Sequence, residues 1–292
     1  MFVSHYIGPN PDQGRDSRQC GMAASLSNPS RRFHVRIDLG FEEIVVGLAF
    51  SGSAIRLTDL VPLAQVLEDS IGAAIMRQQE SLAKPVSCGP CCSPVCCQYL
   101  IGLSTVEAAF MAELLMRQGY ALGPELRKRC RKRSQQLDRL VGEFLQANPG
   151  IAACPSKLVS QLEQWYGRLE EDCIFLENGK CVIYVDRPLT CRHWLIAGCP
   201  ADCTPLGVKP EATVAMPVSL TDVLIDTAFQ CLGSCEIVTL PTIVDWYENH
   251  SQEFDQLYRS EDLIRTFLQC LQDSAKQNTR GREAVRVQGV WQ

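Results

Sequence analysis

Residues 173–184 read CIFLENGKCVIY, two short apolar segments on either side of Asn178 and Gly179. An Asn-Gly pair so placed is the strongest short-range hairpin signal, because the two-residue turn that matches strand twist needs positive φ at both central positions. The stretch predicts a small β-hairpin with one cysteine on each arm, Cys173 and Cys181. The loop that leaves it holds three more, Cys191, Cys199 and Cys203.

Outward from this hairpin the chain reads mostly as helices. Upstream, Pro155 or Ser156 opens a helix to about Glu171, and Pro124 opens one that Asn148, Pro149 and Gly150 close. Ser104 and Glu107 form a capping box for a helix from Thr105 to about Gln118. Leu60, Leu63, Val66, Leu67, Ile71 and Ile75 recur at helical spacing and predict an amphipathic helix from Thr58 to about Lys84, ended by Pro85. Downstream, helices are expected over 220–232, 242–258 and 261–275. RFHVRIDLG and EEIVVGLAF, within 32–50, are two β-rich segments that read as a second hairpin, with His34, Arg36 and Asp38 alternating against Val35, Ile37 and Leu39. The fold class is mainly α (α+β), a single helical domain over 31–275 with small β-hairpins and a cysteine-rich metal-binding core. An irregular arm at 1–30 and a polar tail at 276–292 flank it, and no internal repeat divides it.

A chain of 292 residues, 46% of them hydrophobic and 21% charged, can bury a core without covalent staples. Stability therefore does not account for 16 cysteines. Ten of them fall in two windows, CGPCCSPVCC at 88–97 and the five between Cys173 and Cys203. The amino terminus lacks the features of a secretory signal, and no apolar run approaches the roughly 20 residues that span a bilayer. A cytoplasmic location follows as the expectation, where thiols this dense are metal ligands or redox groups. Thiolates spaced two or three residues apart on a Gly/Pro-turned loop can converge on one soft ion. The spacing matches neither the bacterial ferredoxin run nor the paired histidines of zinc fingers. Zinc and iron-sulfur both remain open, as do two sites, a polynuclear cluster, or one site with spare thiols.

These residues resemble the YkgJ-type cysteine cluster family, described as a zinc- or iron-chelating domain. The resemblance is carried by CGPCCSPVCCQYLIGLSTVEA and, more specifically, by CIFLENGKCVIYVDRPLTCRHWLIAGCPADC. In the second stretch Cys173, Phe175, Leu176, Cys181, Ile183, Tyr184, Arg187, Pro188, Cys191 and Arg192 match the family motif, and a later LPTIVDWYENH looks like the helix that follows in longer members. The implied ligands are Cys88, Cys92, Cys96 and Cys97 in the first window and Cys173, Cys181, Cys191 and Cys203 in the second. The chain departs from the family in having three residues, Ser93 to Val95, before Cys96 and Cys97, and an extra thiol at Cys91. Cys91 is therefore a rival to Cys88 and Cys92, and Cys199 to Cys203. The same pattern is similar to part of bacterial flagellin lysine N-methylases, an enzyme reading that requires a site for S-adenosylmethionine, whose familiar glycine-rich loop is absent from the sequence. A metal-free thiol redox sensor is the third class.

Arg187 and Arg192 flank Cys191, where guanidinium groups can offset the charge of bound thiolates; the plainer role for Arg187 is to cap the Arg-Pro turn. His193, the histidine beside the second window, reads more readily as an ordinary packed side chain than as a ligand. RKRCRKR at 127–133 places six basic residues in seven on one helix. A net charge of -5 favours a solvated face balanced by acids over a nucleic-acid surface. Glu170, Glu171 and Asp172 read as solvated carboxylates at a helix end. No P-loop, GxGxxG, HExxH or GxSxG occurs.

Overall fold

A computed structural model of the chain describes residues 5–6, 30–86, 88, 94–117, 122–148, 161–162, 164–169, 171–197, 203–204, 207–208, 213–277 and 286–291. The alternation at 32–50 builds the largest sheet. Strand β1 is His5–Tyr6, β2 is Ser30–Asp38 and β3 is Glu43–Ser51. Phe33, Val35 and Ile37 stand opposite Leu48, Val46 and Ile44 in antiparallel register, so these six apolar side chains share one buried face of the pair. Short strands β4 (Ala54–Ile55), β5 (Gly102–Ser104), β6 (Leu176–Glu177), β7 (Lys180–Cys181), β8 (Leu195–Ile196), β9 (Cys203–Thr204), β10 (Gly207–Val208), β11 (Thr213–Val214), β12 (Ile237–Thr239) and β13 (Tyr258–Arg259) pair two by two along the rest of the chain. The last strand, β14 (Arg286–Trp291), joins β2 and completes a four-stranded antiparallel sheet in the order β1-β3-β2-β14.

Two expectations change here. The tail expected over 276–292 includes the end of a helix and strand β14, because Val287 tucks into the core beside β2. The hairpin at 30–51 is the centre of a larger sheet, whose outer strands come from remote sequence that no local pattern reveals.

The helices follow their apolar periods. Helix α1 (Leu60–Ser81) buries Leu60, Leu63, Ala64, Leu67, Ile71, Ala74 and Ile75 against the sheet. It begins after a 3-10 turn at Leu57–Asp59, and it ends before Pro85, where Ala83 turns the chain at φ 56°. Helix α2 (Thr105–Met116) starts at the expected capping box, Ser104 Oγ accepting from Glu107 N. It is apolar all round because it lies between two cores. Val106, Ala109 and Ala112 face the sheet core. Ala108, Met111 and Leu115 face a second core. That second core also takes Leu126 and Cys130 from α3 (Gly123–Ala147) and Ile174, Phe175 and Ile183 from the cysteine hairpin. A five-residue helix α4 (Leu189–His193) carries Cys191, and α5 (Leu220–Leu232), α6 (Ile243–Phe254) and α7 (Ser260–Gln277) follow. Of the helix expected over 155–171, residues 161–162 and 164–167 are helical, whereas 168–169 form a turn and 171 is not helical, so the helix ends short of Glu171. No helix among the described residues is long and apolar enough to cross a membrane.

Candidate functional site

The Asn-Gly hairpin forms as the sequence predicts. Asn178 and Gly179 take φ of 50° and 73°, and β6 pairs with β7 across them, Leu176 opposite Cys181. The two arms present their cysteines alike. The backbone amide of Phe175 favours the thiolate of Cys173, and that of Ile183 the thiolate of Cys181, two residues on in each case. Phe175 and Ile183 are the buried residues that anchor these arms in the second core, so the residues that pack the hairpin also supply the amides that favour its thiolates.

Four contacts made by backbone groups hold the site together. Cys173 N donates to Cys97 O at 2.7 Å, joining the hairpin to the 3-10 turn Pro94–Gln98 that holds Cys96 and Cys97. Val86 bridges Ala197, and Ile196 N donates to the Cys88 sulfur at 3.2 Å. Leu189 N donates to Glu107 Oε1 at 2.9 Å, fixing the start of α4 against the capping box of α2. The result is a cavity of about 90 Å3 lined by Cys88, Cys96, Cys97, Cys173, Cys181 and Cys191, with Arg187, Tyr184 and Trp194 among its other walls. That is room for several water-sized groups.

The thiols differ electrostatically. Burial pushes Cys173 up to about 12 and raises Cys181 and Cys191. Cys96 is lowered to about 7 by its interaction with the Cys97 thiol, and Cys97 is raised in turn. The Arg187 guanidinium lies 4.2 Å from the Tyr184 ring centroid and favours the charged forms of Cys96, Cys181 and Cys191. Its Nε is buried with no hydrogen-bond partner among the described residues.

Six of the eight sequence-predicted ligands therefore share one cavity. The backbone of Cys203 lies in β9, which packs against the 94–98 turn. Cys92, like Cys91 and Cys199, falls outside the described residues. The sulfurs surround the space without closing on a point: among the described residues no three His, Cys, Asp or Glu side chains are grouped to hold an ion. The donor set nonetheless suits a soft metal, since it is all sulfur with one guanidinium beside it.

Arg192 faces away from the cavity lining. Its guanidinium donates to Asp69 Oδ2 at 2.5 Å, to Arg187 O at 2.9 Å and to Val185 O, and thereby holds the backbone of Arg187 in place. His193 Nδ1 is 3.0 Å from Glu68 Oε1, a buried carboxylate on α1 whose proton affinity desolvation raises. Glu107 is wholly buried, and desolvation lifts it to about 7 against the hydrogen bonds from Leu189 and Ser104. Neither Glu68 nor the long-range role of Glu107 stands out in the sequence, where each is one more acid in a helix. Nor does the use made of RKRCRKR: Arg129 pairs with Glu125 and Glu177, Arg131 with Asp245 and Glu248, and Arg133 with Glu171. The spacing of those arginines in alternate positions was the available signal, because it splits them into i, i+4 stripes. Compared with protein-family models, with curated proteins and with solved structures, the chain matches none.

Proposed function

We propose that the protein binds metal through its two cysteine windows, holding zinc or an iron-sulfur cluster. The observation that carries this reading is the cavity in which Cys88, Cys96 and Cys97 meet Cys173, Cys181 and Cys191. Buried structural cysteines would be dispersed among core positions, whereas these six, from two stretches of chain separated in sequence by α2 and α3, line one cavity. Backbone amides that favour the thiolates of Cys173 and Cys181, together with the Arg187 charge, supply what a thiolate site needs around its ligands. Cys92 and Cys203 complete the proposed ligand set. The resemblance to the YkgJ-type cluster proteins points the same way, and a reducing compartment such as the cytoplasm suits reduced thiols in this number.

The test is metal and acid-labile sulfide content, with a visible spectrum, on protein purified without air. Brown protein with iron and sulfide in matching amounts identifies an iron-sulfur cluster. Colourless protein with zinc identifies a thiolate zinc site. Protein free of both, which takes up neither on reconstitution, overturns the proposal.

A further inference from the structure

The basic run at 127–133 is divided by the helix that carries it. Residues four apart lie on one face, so Arg127 and Arg131 form one stripe and Arg129 and Arg133 another. The first stripe serves the helical neighbours. Arg127 Nη1 donates to Leu115 O at the end of α2, and Arg131 pairs with Glu248 and Asp245 of α6. The second stripe grips the cysteine hairpin at both ends. Arg129 Nη1 lies 2.7 Å from Glu177 Oε1, on the β6 arm next to the Asn-Gly turn. Arg133 pairs with Glu171 and donates to Asp172 O at 3.3 Å, immediately before Cys173. Gln136 Nε2 donates to the other Glu171 oxygen at 3.0 Å. Between the two arginines, the fully buried Cys130 packs in the same core as Ile174 and Phe175.

We propose that Arg129 and Arg133 are positioning residues for the thiol cavity: they clamp the Cys173–Cys181 hairpin to α3 at its root and its turn, and so set where those two sulfurs stand. Each hairpin strand is only two residues long, and an isolated two-stranded hairpin is at best marginally stable in water. Its placement therefore depends on what holds it from outside. Phe175 and Ile183 hold it from below. The arginines fix its sideways position, with Arg133 close enough to Cys173 to favour that thiolate. The consequence for metal affinity rests on the metal-binding reading above, whereas the clamp itself does not.

Two readouts separate them. In reduced, metal-free protein, alkylation of Cys173 and Cys181 followed by mass spectrometry reports hairpin docking. Competition for Zn2+ against a chromophoric chelator reports affinity. Arg129→Glu, which sets two carboxylates against each other, and Arg133→Gln should each speed alkylation of the hairpin cysteines and weaken Zn2+ binding by about 10-fold or more, the range for groups that orient ligands. Arg131→Glu, with an equal charge change on the same helix, should leave both near wild type. The exchanged pair Arg129→Glu with Glu177→Arg should recover most of the loss, and it remains informative if Arg133→Gln fails to fold. Equal effects from Arg131→Glu, or no recovery in the exchanged pair, overturn the clamp. Variants that change alkylation as expected in a protein that binds no Zn2+ would uphold the clamp and count against the zinc form of the reading it serves.

Discussion

Replacing Glu107 by glutamine should remove a defined part of the protein's pH-dependent stability. Glu107 is completely enclosed, and its carboxyl accepts from Leu189 N at 2.9 Å, Ser104 Oγ at 3.0 Å and Ser104 N at 3.4 Å. Those donors favour the charged form, but desolvation outweighs them and lifts the group from 4.5 to about 7. Because the folded protein holds this proton more tightly than the unfolded chain, the stabilisation is fully present below pH 4.5 and is lost as pH rises through 7. The difference across that window is about 3 kcal/mol. Glutamine keeps the acceptor for Leu189 and can donate to Ser104 Oγ, so only the longest contact is forfeited. Urea unfolding of metal-free, reduced protein between pH 4.5 and 8 measures the effect as the gap between wild type and variant. Glu68, raised in the same direction, is present in both proteins, so its own titration largely cancels in that gap. The wild type should lose about 3 kcal/mol relative to Glu107→Gln across the window. Parallel profiles would refute the argument that burial governs this carboxyl.

Two further substitutions test how the site is framed. Gly179 at φ 73° has open space where a Cβ would stand, so Gly179→Ala should cost about 1 kcal/mol through backbone conformation alone; an unchanged urea midpoint would show that the turn adopts another conformation. Arg192→Leu leaves the carbonyls of Val185 and Arg187 without their donor and should cost about 3 kcal/mol. Asp69→Asn, whose side chain is 56% exposed, should cost less than about 1 kcal/mol. Equal losses from both would mean that the ion pair, and not the grip on the backbone, sets the value.

What the sequence reveals is what local chemistry encodes. The Asn178-Gly179 turn, the Ser104-Glu107 capping box and the apolar stripe of α1 are each fixed within a few residues of chain, and each forms as read. The convergence of the two windows is less local. Cysteine density pointed to it, but the bond from Cys173 N to Cys97 O and the tie from Leu189 to Glu107 depend on how α2 and α3 fill the chain between. Strand β14 and the arginine clamp were hidden for the same reason. RVQGVW alternates too weakly to announce a strand, and an arginine in a basic run looks solvated until its acid, Glu177 or Glu171, is placed beside it.

The pairing of β14 with β2 also bears on the order in which the molecule can assemble. Arg286 lies opposite Asp38 and Trp291 opposite Phe33, a closure between distant parts of the chain that must follow synthesis of everything between. Contacts of such sequence separation slow folding, since a large loop must close before any is made. Until then the β2 edge stands open, a template for strand addition by another chain. Arg32 and Arg36 stand along it on the face away from the core, with His34 between them, and charges placed as these arginines are discourage edge-to-edge association. The basic pattern of β2 is thus of the kind that guards an open edge until β14 pairs with it.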